Sequence, residues 1–370
     1  MKKTIGIDCF KLEKGTGKSI GIYVFAERLV KNLATKANEY RIVVFGNEYN
    51  QSDFASDSIE FVQIQLNHRN KFICILWELY IVARYMKKYN IDEIILPRGF
   101  APLIKQHKCM VVIHDMIPFY YNEHFKGVLN PYENFYIMNR LKASIVHAGK
   151  VVTISDYSKR EILRILPQLE GDQIKVILHG FDYVKAGSNK KRSILSPYIF
   201  AITSMLPHKN AVGIVKSYES YYYRTTNPIQ LVITGIESVD DLKILIDKNI
   251  KDKIVCKKYL ADDEFYELFR HAECLLFLSL VEGYGWPPLE SMQFGVPAIV
   301  SNRSSLPEII GEAGILVNPE ESEEVADKLL EVISNKSLRQ ELADKGIENL
   351  KRFNWDSQIN LYIQYIGQDK

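Results

Sequence analysis

CLLFLSLVEGYGWPPLE, residues 274–290, is the stretch that decides the reading of this chain. Its first six residues, Cys274–Ser279, are apolar enough for a buried strand. The adjacent prolines fit a first helical turn, where φ is already helical and no intrahelical donor is lost. The expected helix runs over Pro288–Phe294. Between strand and helix, Gly283 and Gly285 leave the backbone bare. Bare backbone at a helix N-terminus turns N–H groups toward an anion. Gly283, Tyr284, Gly285 and Trp286 therefore read as a cradle for a diphosphate or for sugar hydroxyls. Glu290 is expected in the first helical turn, where the dipole favours a carboxylate that can also accept from vicinal hydroxyls. Glu282 falls on the loop at the strand's carboxyl end. Each glutamate alone reads as readily as a cap or a surface charge, but the whole arrangement argues for a site.

Outward from this stretch, short β-branched runs alternate with longer amphipathic ones. Thr4–Phe10, Arg41–Gly46, Ile59–Gln65, Ile91–Leu96, Met110–Ile113 and Val151–Ser155 predict strands in the first half. Tyr23–Thr35 and Trp77–Tyr89 are among the helices between them. The alternation restarts with strands at Tyr198–Ser204, Gln230–Thr234, Lys253–Lys257 and Pro297–Val300, and a helix at Asp262–His271. Ser322–Tyr365 reads as helical, broken near Phe353-Asn354. Strands alternating with helices imply parallel sheets covered on both faces. The fold class expected is α/β, with two Rossmann-like doubly wound domains facing across a cleft. Residues 1–185 make the first domain. Residues 186–196, in a polar stretch that begins at Lys185, make the linker, and residues 197–352 the second domain. Residues 353–370 form a helix expected to cross back to the first. Ligands of such domains bind at the carboxyl ends of the strands.

A chain of 370 residues suits two cores, and 47% hydrophobic with 25% charged residues is ordinary for a soluble protein. No apolar run approaches the ~18 residues that span a bilayer, and MKKTIGIDCF at the start reads as a strand rather than a signal peptide. Cys9, Cys74, Cys109, Cys256 and Cys274 are scattered, which fits reduced thiols in a cytoplasmic protein. The net charge of +2 hides an asymmetry: residues 1–185 hold 26 Lys and Arg against 19 Asp and Glu, and residues 186–370 hold 21 against 26. A basic half suggests an anionic partner, namely nucleic acid, a membrane surface or a phosphate-bearing acceptor; uneven solvated faces read equally well.

Lys14–Gly21 (KGTGKSIG) follows a strand and precedes a helix, where glycines can cradle phosphate. Gly17-Lys18-Ser19 imitates the end of a P-loop, but the earlier glycine that motif needs is Leu12. The dinucleotide fingerprint fails as well, since the third glycine stands at 21 rather than 20. Gly17 remains a candidate lining residue of a cleft.

Glu-x7-Glu within EGYGWPPLE, followed by SMQFGVPAIVSN and SSLPEIIGEAG, resembles glycosyltransferase family 4, the retaining enzymes of GT-B fold, and in particular its bacterial mannosyltransferases. The resemblance extends over essentially the whole chain. Pro207-His208-Lys209-Asn210 matches the family's basic turn, which implies that Lys209 contacts the donor diphosphate. Thr203 stands where many relatives carry a second basic residue. Ile113-His114-Asp115 matches a strand-end His-Asp pair facing the donor sugar. Thr153-Ile154-Ser155, Leu178–Asp182 and Ser304–Glu308 match further signposts.

What the resemblance implies is transfer of a hexose from a nucleotide-sugar with retention of configuration, by front-face attack assisted by the departing phosphate. Glu282 binds donor-sugar hydroxyls, Glu290 the ribose, and His114 polarises the sugar or assists catalysis. Lys209, the helix N-terminus and the N–H groups of Gly283–Trp286 neutralise the leaving group. No metal and no other cofactor is expected; Asp262-Asp263 reads as an N-cap cluster. GDP-mannose is the first donor implied, with UDP- and dTDP-sugars open. The acceptor expected is a glycan or lipid-linked glycan of surface-polysaccharide (O-antigen) assembly, with no nucleic acid. His68–Tyr89 mixes Arg69, Lys71, Arg84, Lys87 and Lys88 with aromatics. It reads as an ordinary core helix or as a peripheral contact with an anionic membrane on its cytoplasmic face. The rival classes are a nucleotide-sugar epimerase or dehydrogenase, and a sugar-binding protein without catalysis.

Overall fold

The computed structural model describes residues 2–15, 20–103, 106–184, 194, 197–258 and 260–368. The chain divides into two compact units: Met1–Gly180 together with Trp355–Lys370, and Phe181–Asn354. Of the expected linker at 186–196, only Ile194 lies within the described residues.

The first unit holds β1 (Lys3–Asp8), β2 (Tyr40–Gly46), β3 (Glu60–Gln63), β4 (Glu93–Leu96), β5 (Gln106–Ile113), β6 (Ala148–Thr153) and β7 (Ile174–Val176). They form one seven-stranded parallel sheet in the order β3-β2-β1-β4-β5-β6-β7. Ile42–Phe45 and Glu93–Leu96 are buried throughout, as strands covered on both faces must be. The helix Ile20–Leu33 buries Tyr23, Phe25, Ala26, Leu29, Val30 and Leu33, an apolar stripe at helical spacing. The stretch expected as one helix at Trp77–Tyr89 starts earlier. Asn70 accepts from Phe72 N–H and Ile73 N–H, and so caps a helix Lys71–Leu76. A wider turn follows at Trp77–Ile81, then Val82–Lys88. Trp77 is fully buried in the core with Phe10 and Phe45. The last helix, Trp355–Gly367, belongs to this unit. Its final turn is held where Lys3 Nζ and Lys150 Nζ donate to the Ile366 carbonyl at 2.9 and 3.2 Å. Cations at a helix C-terminus are favoured by its dipole.

The second unit holds β8 (Tyr198–Ile202), β9 (Gln230–Thr234), β10 (Ile254–Lys257), β11 (Cys274–Phe277), β12 (Ala298–Ser301) and β13 (Gly314–Val317). All pair in parallel, in the order β10-β9-β8-β11-β12-β13. β11 lies between β8 and β12, with Leu275 opposite Phe200 and Ala298. The chain runs outward from β8 to β10, then crosses back to β11 and runs outward the other way. That reversal opens a crevice at the carboxyl ends of β8 and β11. The corresponding reversal in the first unit lies between β1 and β4.

The class is the one expected, α/β with two Rossmann-like units. Two edge strands, β7 and β13, were not foreseen; they have three and four residues, too short for a period to register. The C-terminal stretch divides into Ser322–Ser334, Lys336–Leu350 and Trp355–Gly367. The five cysteines are free thiols, all buried but the half-exposed Cys256. Among the described residues no helix is long and apolar enough to cross a membrane.

Candidate functional site

Thr203 is the first residue after β8, and Glu282 stands five residues after β11, so both lie at the crevice of the second unit. Between them Pro207–Lys209 forms a single tight helical turn. Asn210 ends that turn with φ of 54° and starts the next helix by accepting from Gly213 N–H at 3.2 Å. Its Nδ2 donates to the Leu278 and Pro319 carbonyls at 3.1 and 2.9 Å. Leu280 N–H donates to the His208 carbonyl at 2.7 Å, which ties the turn to the loop after β11. Thr203 is buried, and its hydroxyl donates to the Lys209 carbonyl at 2.8 Å. That proton is therefore engaged in holding the turn. The result presents Lys209, whose Nζ meets Glu282 Oε1 at 2.5 Å and lies 5.8 Å from the centre of the Phe277 ring. The Lys209 side chain is 27% exposed and that of Glu282 13%, so the pair sits partly out of water, where a charge-assisted bond is strong yet reachable. Burial first, and the Lys209 charge second, push the His208 imidazole down to about 4.

The helix after the loop begins at Trp286, not at Pro288, with Gly285 as its N-cap. Glu290 is thus the fifth helical residue, beyond the first turn where the expected dipole effect is felt. The prolines also remove donors. Of the first four helical positions only Trp286 and Leu289 carry an N–H, so the expected row of donors is shortened by two. Gly285 adopts φ of 142°, and a Cβ there would lie 2.9 Å from Leu306 Cδ2. Tyr284 is buried between Trp286 and Phe353, with ring centroids 5.4 and 6.3 Å away, while Trp286 and Glu290 are half-buried. Asp262 and Asp263 are the first two residues of their helix, whose N-cap is Ala261, rather than caps themselves.

Sequence reasoning passed over Gly235, which follows β9. It has φ of 91°, and a Cβ on it would lie 1.9 Å from the Thr203 carbonyl oxygen. A glycine directly after the apolar run QLVIT was the available signal.

In the first unit, His114 follows β5. Its Nε2 lies 2.8 Å from the Pro97 carbonyl, so the ring carries its proton there and keeps Nδ1 as an acceptor. Phe25 and His179 pack against the ring at 4.9 and 5.4 Å, and burial pushes its pKa down to about 4. His114 is therefore neutral at pH 7 and offers a hydrogen-bond acceptor rather than a charge. Asp115 Oδ1 accepts from Ile117 N–H at 2.9 Å and so starts the following helix. Gly17 lies outside the described residues. On the helix at Lys71–Lys88, Cys74, Trp77, Val82 and Met86 face the core. Phe72, 79% exposed, continues into exposed Leu76, Tyr80 and Arg84 at four-residue spacing. Among the described residues no group of three or more His, Cys, Asp or Glu is arranged to hold a metal ion.

Residues 185–349 match the sequence profile of the family described as Glycosyl transferases group 1. Over 243 residues, 61% of this chain, it is 28% identical to the O-antigen chain mannosyltransferase B of Escherichia coli. Over 272 residues, 70% of the chain, it is 24% identical to the serotype-specific mannosyltransferase WbdA of the same organism. The matches span 64% and 33% of those proteins' lengths. The fold is similar to that of Alr3699/HepE of Anabaena, solved in complex with UDP and glucose, with a TM-score of 0.69 at 15% identity over 98% of this chain and 99% of that one.

Proposed function

We propose that the protein transfers mannose from GDP-mannose to a hydroxyl of a glycan or lipid-linked glycan acceptor in O-antigen-type assembly, a reading supported by the match of residues 185–349 to the group 1 glycosyltransferases. The observation that carries this reading is the Lys209–Glu282 pair at the β8/β11 crevice, 2.5 Å apart and partly open to solvent. The mannosyltransferase relatives support the sugar, and a fold shared with a protein that binds UDP and glucose keeps UDP-sugars as the second donor class.

In this mechanism the bond between the anomeric carbon and the diphosphate breaks, and its electron pair stays on the phosphate oxygen. The ammonium of Lys209 neutralises that growing charge in a site where such a contact is worth several kcal/mol. The acceptor hydroxyl attacks from the same face and its proton passes to the departing phosphate, so configuration is retained. Glu282 shares its carboxylate between Lys209 and the donor sugar's hydroxyls. Glu290 binds the ribose, and the backbone of Gly283–Trp286 lies along the diphosphate. Thr203 acts on the donor through the turn that carries Lys209. His114 accepts a sugar hydroxyl at Nδ1. No metal is needed, so EDTA leaves the rate unchanged. The exposed stripe Phe72–Leu76–Tyr80, with Lys71, Arg84, Lys87 and Lys88 exposed beside it, rests on an anionic membrane. Vesicles containing anionic lipid co-sediment the protein at low salt and release it at high salt. The reading is tested by nucleoside diphosphate release from GDP-mannose with Lys209→Ala, where turnover falls by roughly 100-fold or more. Full turnover in that variant removes Lys209 from the mechanism.

A further inference from the structure

Two consecutive serines in the second unit turn away from their own helix. Ser305 is the N-cap residue of the helix Leu306–Ile310, the position where a serine hydroxyl ordinarily accepts from the first backbone N–H groups. It makes no such cap. Its hydroxyl, fully buried, is instead shared between the Glu282 carbonyl, 3.0 Å away, and the Tyr284 carbonyl. Ser304 stands at φ of 59°, a left-handed conformation that disfavours any residue with a Cβ. Its Oγ accepts from Glu282 N–H at 3.0 Å. Both hydroxyls thus leave the 302–310 segment and grip the loop after β11, Ser304 at the N–H of Glu282 and Ser305 at its carbonyl. A left-handed glycine at 304 satisfies the turn with less strain but has no oxygen to offer. The sequence keeps the strained residue that has one. Strain retained at a site is a sign that the group it presents has a use.

We infer that Ser304, supported by Ser305, is a positioning residue that fixes the backbone of Glu282, and through it the distance from the Glu282 carboxylate to Lys209 and the donor sugar. The inference rests on the role given above to Glu282. Ser304 touches neither substrate nor reacting atoms; it acts through the Glu282 amide.

The test separates the hydroxyl from the backbone conformation. Ser304→Gly relaxes the left-handed turn and deletes the acceptor; Ser304→Asn keeps a side-chain oxygen on a residue that tolerates φ above zero. In Ser304→Gly the Glu282 amide, followed by hydrogen exchange in the full chain, loses protection. Nucleoside diphosphate release from GDP-mannose falls about 10- to 100-fold in kcat, as a misplaced catalytic group loses rate. GDP affinity stays within about twofold, and Ser304→Asn recovers most of both losses. A Ser304→Gly protein with wild-type amide protection and wild-type kcat overturns the inference, because the position then needs only its turn geometry. Glu282→Gln distinguishes the two levels. If that variant turns over normally, the role of Glu282 falls, while the amide-exchange result still decides whether Ser304 holds the loop.

Discussion

Replacing Lys150 by methionine is expected to destabilise the first unit by about 3–5 kcal/mol. Lys150 and Glu93 are 6% and 5% exposed, and Nζ lies 3.0 Å from Oε2. So little water reaches either group that the solvent screening which makes surface pairs nearly worthless does not apply. Methionine fills the volume of the lysine stem but leaves the Glu93 carboxylate buried opposite an uncharged group. The Ile366 carbonyl keeps one lysine donor, Lys3, and loses the other. For a unit of about 200 residues, each kcal/mol lowers Tm by ~2–4 °C, so the transition of this unit should drop by roughly 10 °C. The double replacement Lys150→Met with Glu93→Leu removes both charges and should restore stability to within about 1 kcal/mol of wild type, or exceed it. Urea unfolding followed through the four variants of the cycle measures the coupling directly. A single variant within 1 kcal/mol of wild type, or a double variant as unstable as the single, refutes the claim that loss of the Lys150 charge beside Glu93 is the cause.

Gly235→Ala combines a left-handed φ with a Cβ 1.9 Å from the Thr203 carbonyl. It should cost more than the ~1 kcal/mol of an ordinary glycine substitution and displace the Lys209 turn. Chemical unfolding at parity with wild type contradicts this. Acid should weaken the fold through His208. Its folded pKa of about 4 lies below the unfolded value near 6.5, so the unfolded chain binds the extra proton as pH falls through that window. The loss amounts to about 3 kcal/mol by pH 4. Burial raises Asp8 to about 6, which acts in the opposite sense, adding stability as pH falls from about 6 to 4. His208→Gln should therefore flatten the acid limb of a Tm–pH curve and Asp8→Asn should steepen it; unchanged limbs dismiss both assignments. Glu290→Ala should weaken nucleotide binding, as read by titration calorimetry; wild-type affinity removes Glu290 from the nucleotide site.

The strand-loop-helix order around residues 274–294 was legible because apolar run, glycines and prolines are local signals with local causes. The helix start at Trp286 was not, since prolines fit at several first-turn positions and the choice was made by Gly285 adopting φ of 142°. β7 and β13 escaped because three or four residues cannot show a period of two. Lys209 and Glu282 could each be singled out, yet their 2.5 Å contact depends on Asn210, Thr203 and the loop carbonyls, which come from three separate segments. The turned-away hydroxyls of Ser304 and Ser305 are the clearest case. In the sequence the pair stands only within the Ser304–Glu308 signpost, and only the fold brings the loop after β11 within reach of both hydroxyls.

Thermal unfolding with GDP, UDP, dTDP, CDP and ADP, each at millimolar concentration in EDTA, tests the nucleotide-sugar reading most directly. A ligand at ~100 times its Kd stabilises the native state by about 2.7 kcal/mol, a shift of several degrees. The account predicts one clear response, to GDP first, that Glu290→Ala diminishes. Five flat curves contradict it, because a chain that transfers a sugar from a nucleotide must hold the nucleotide.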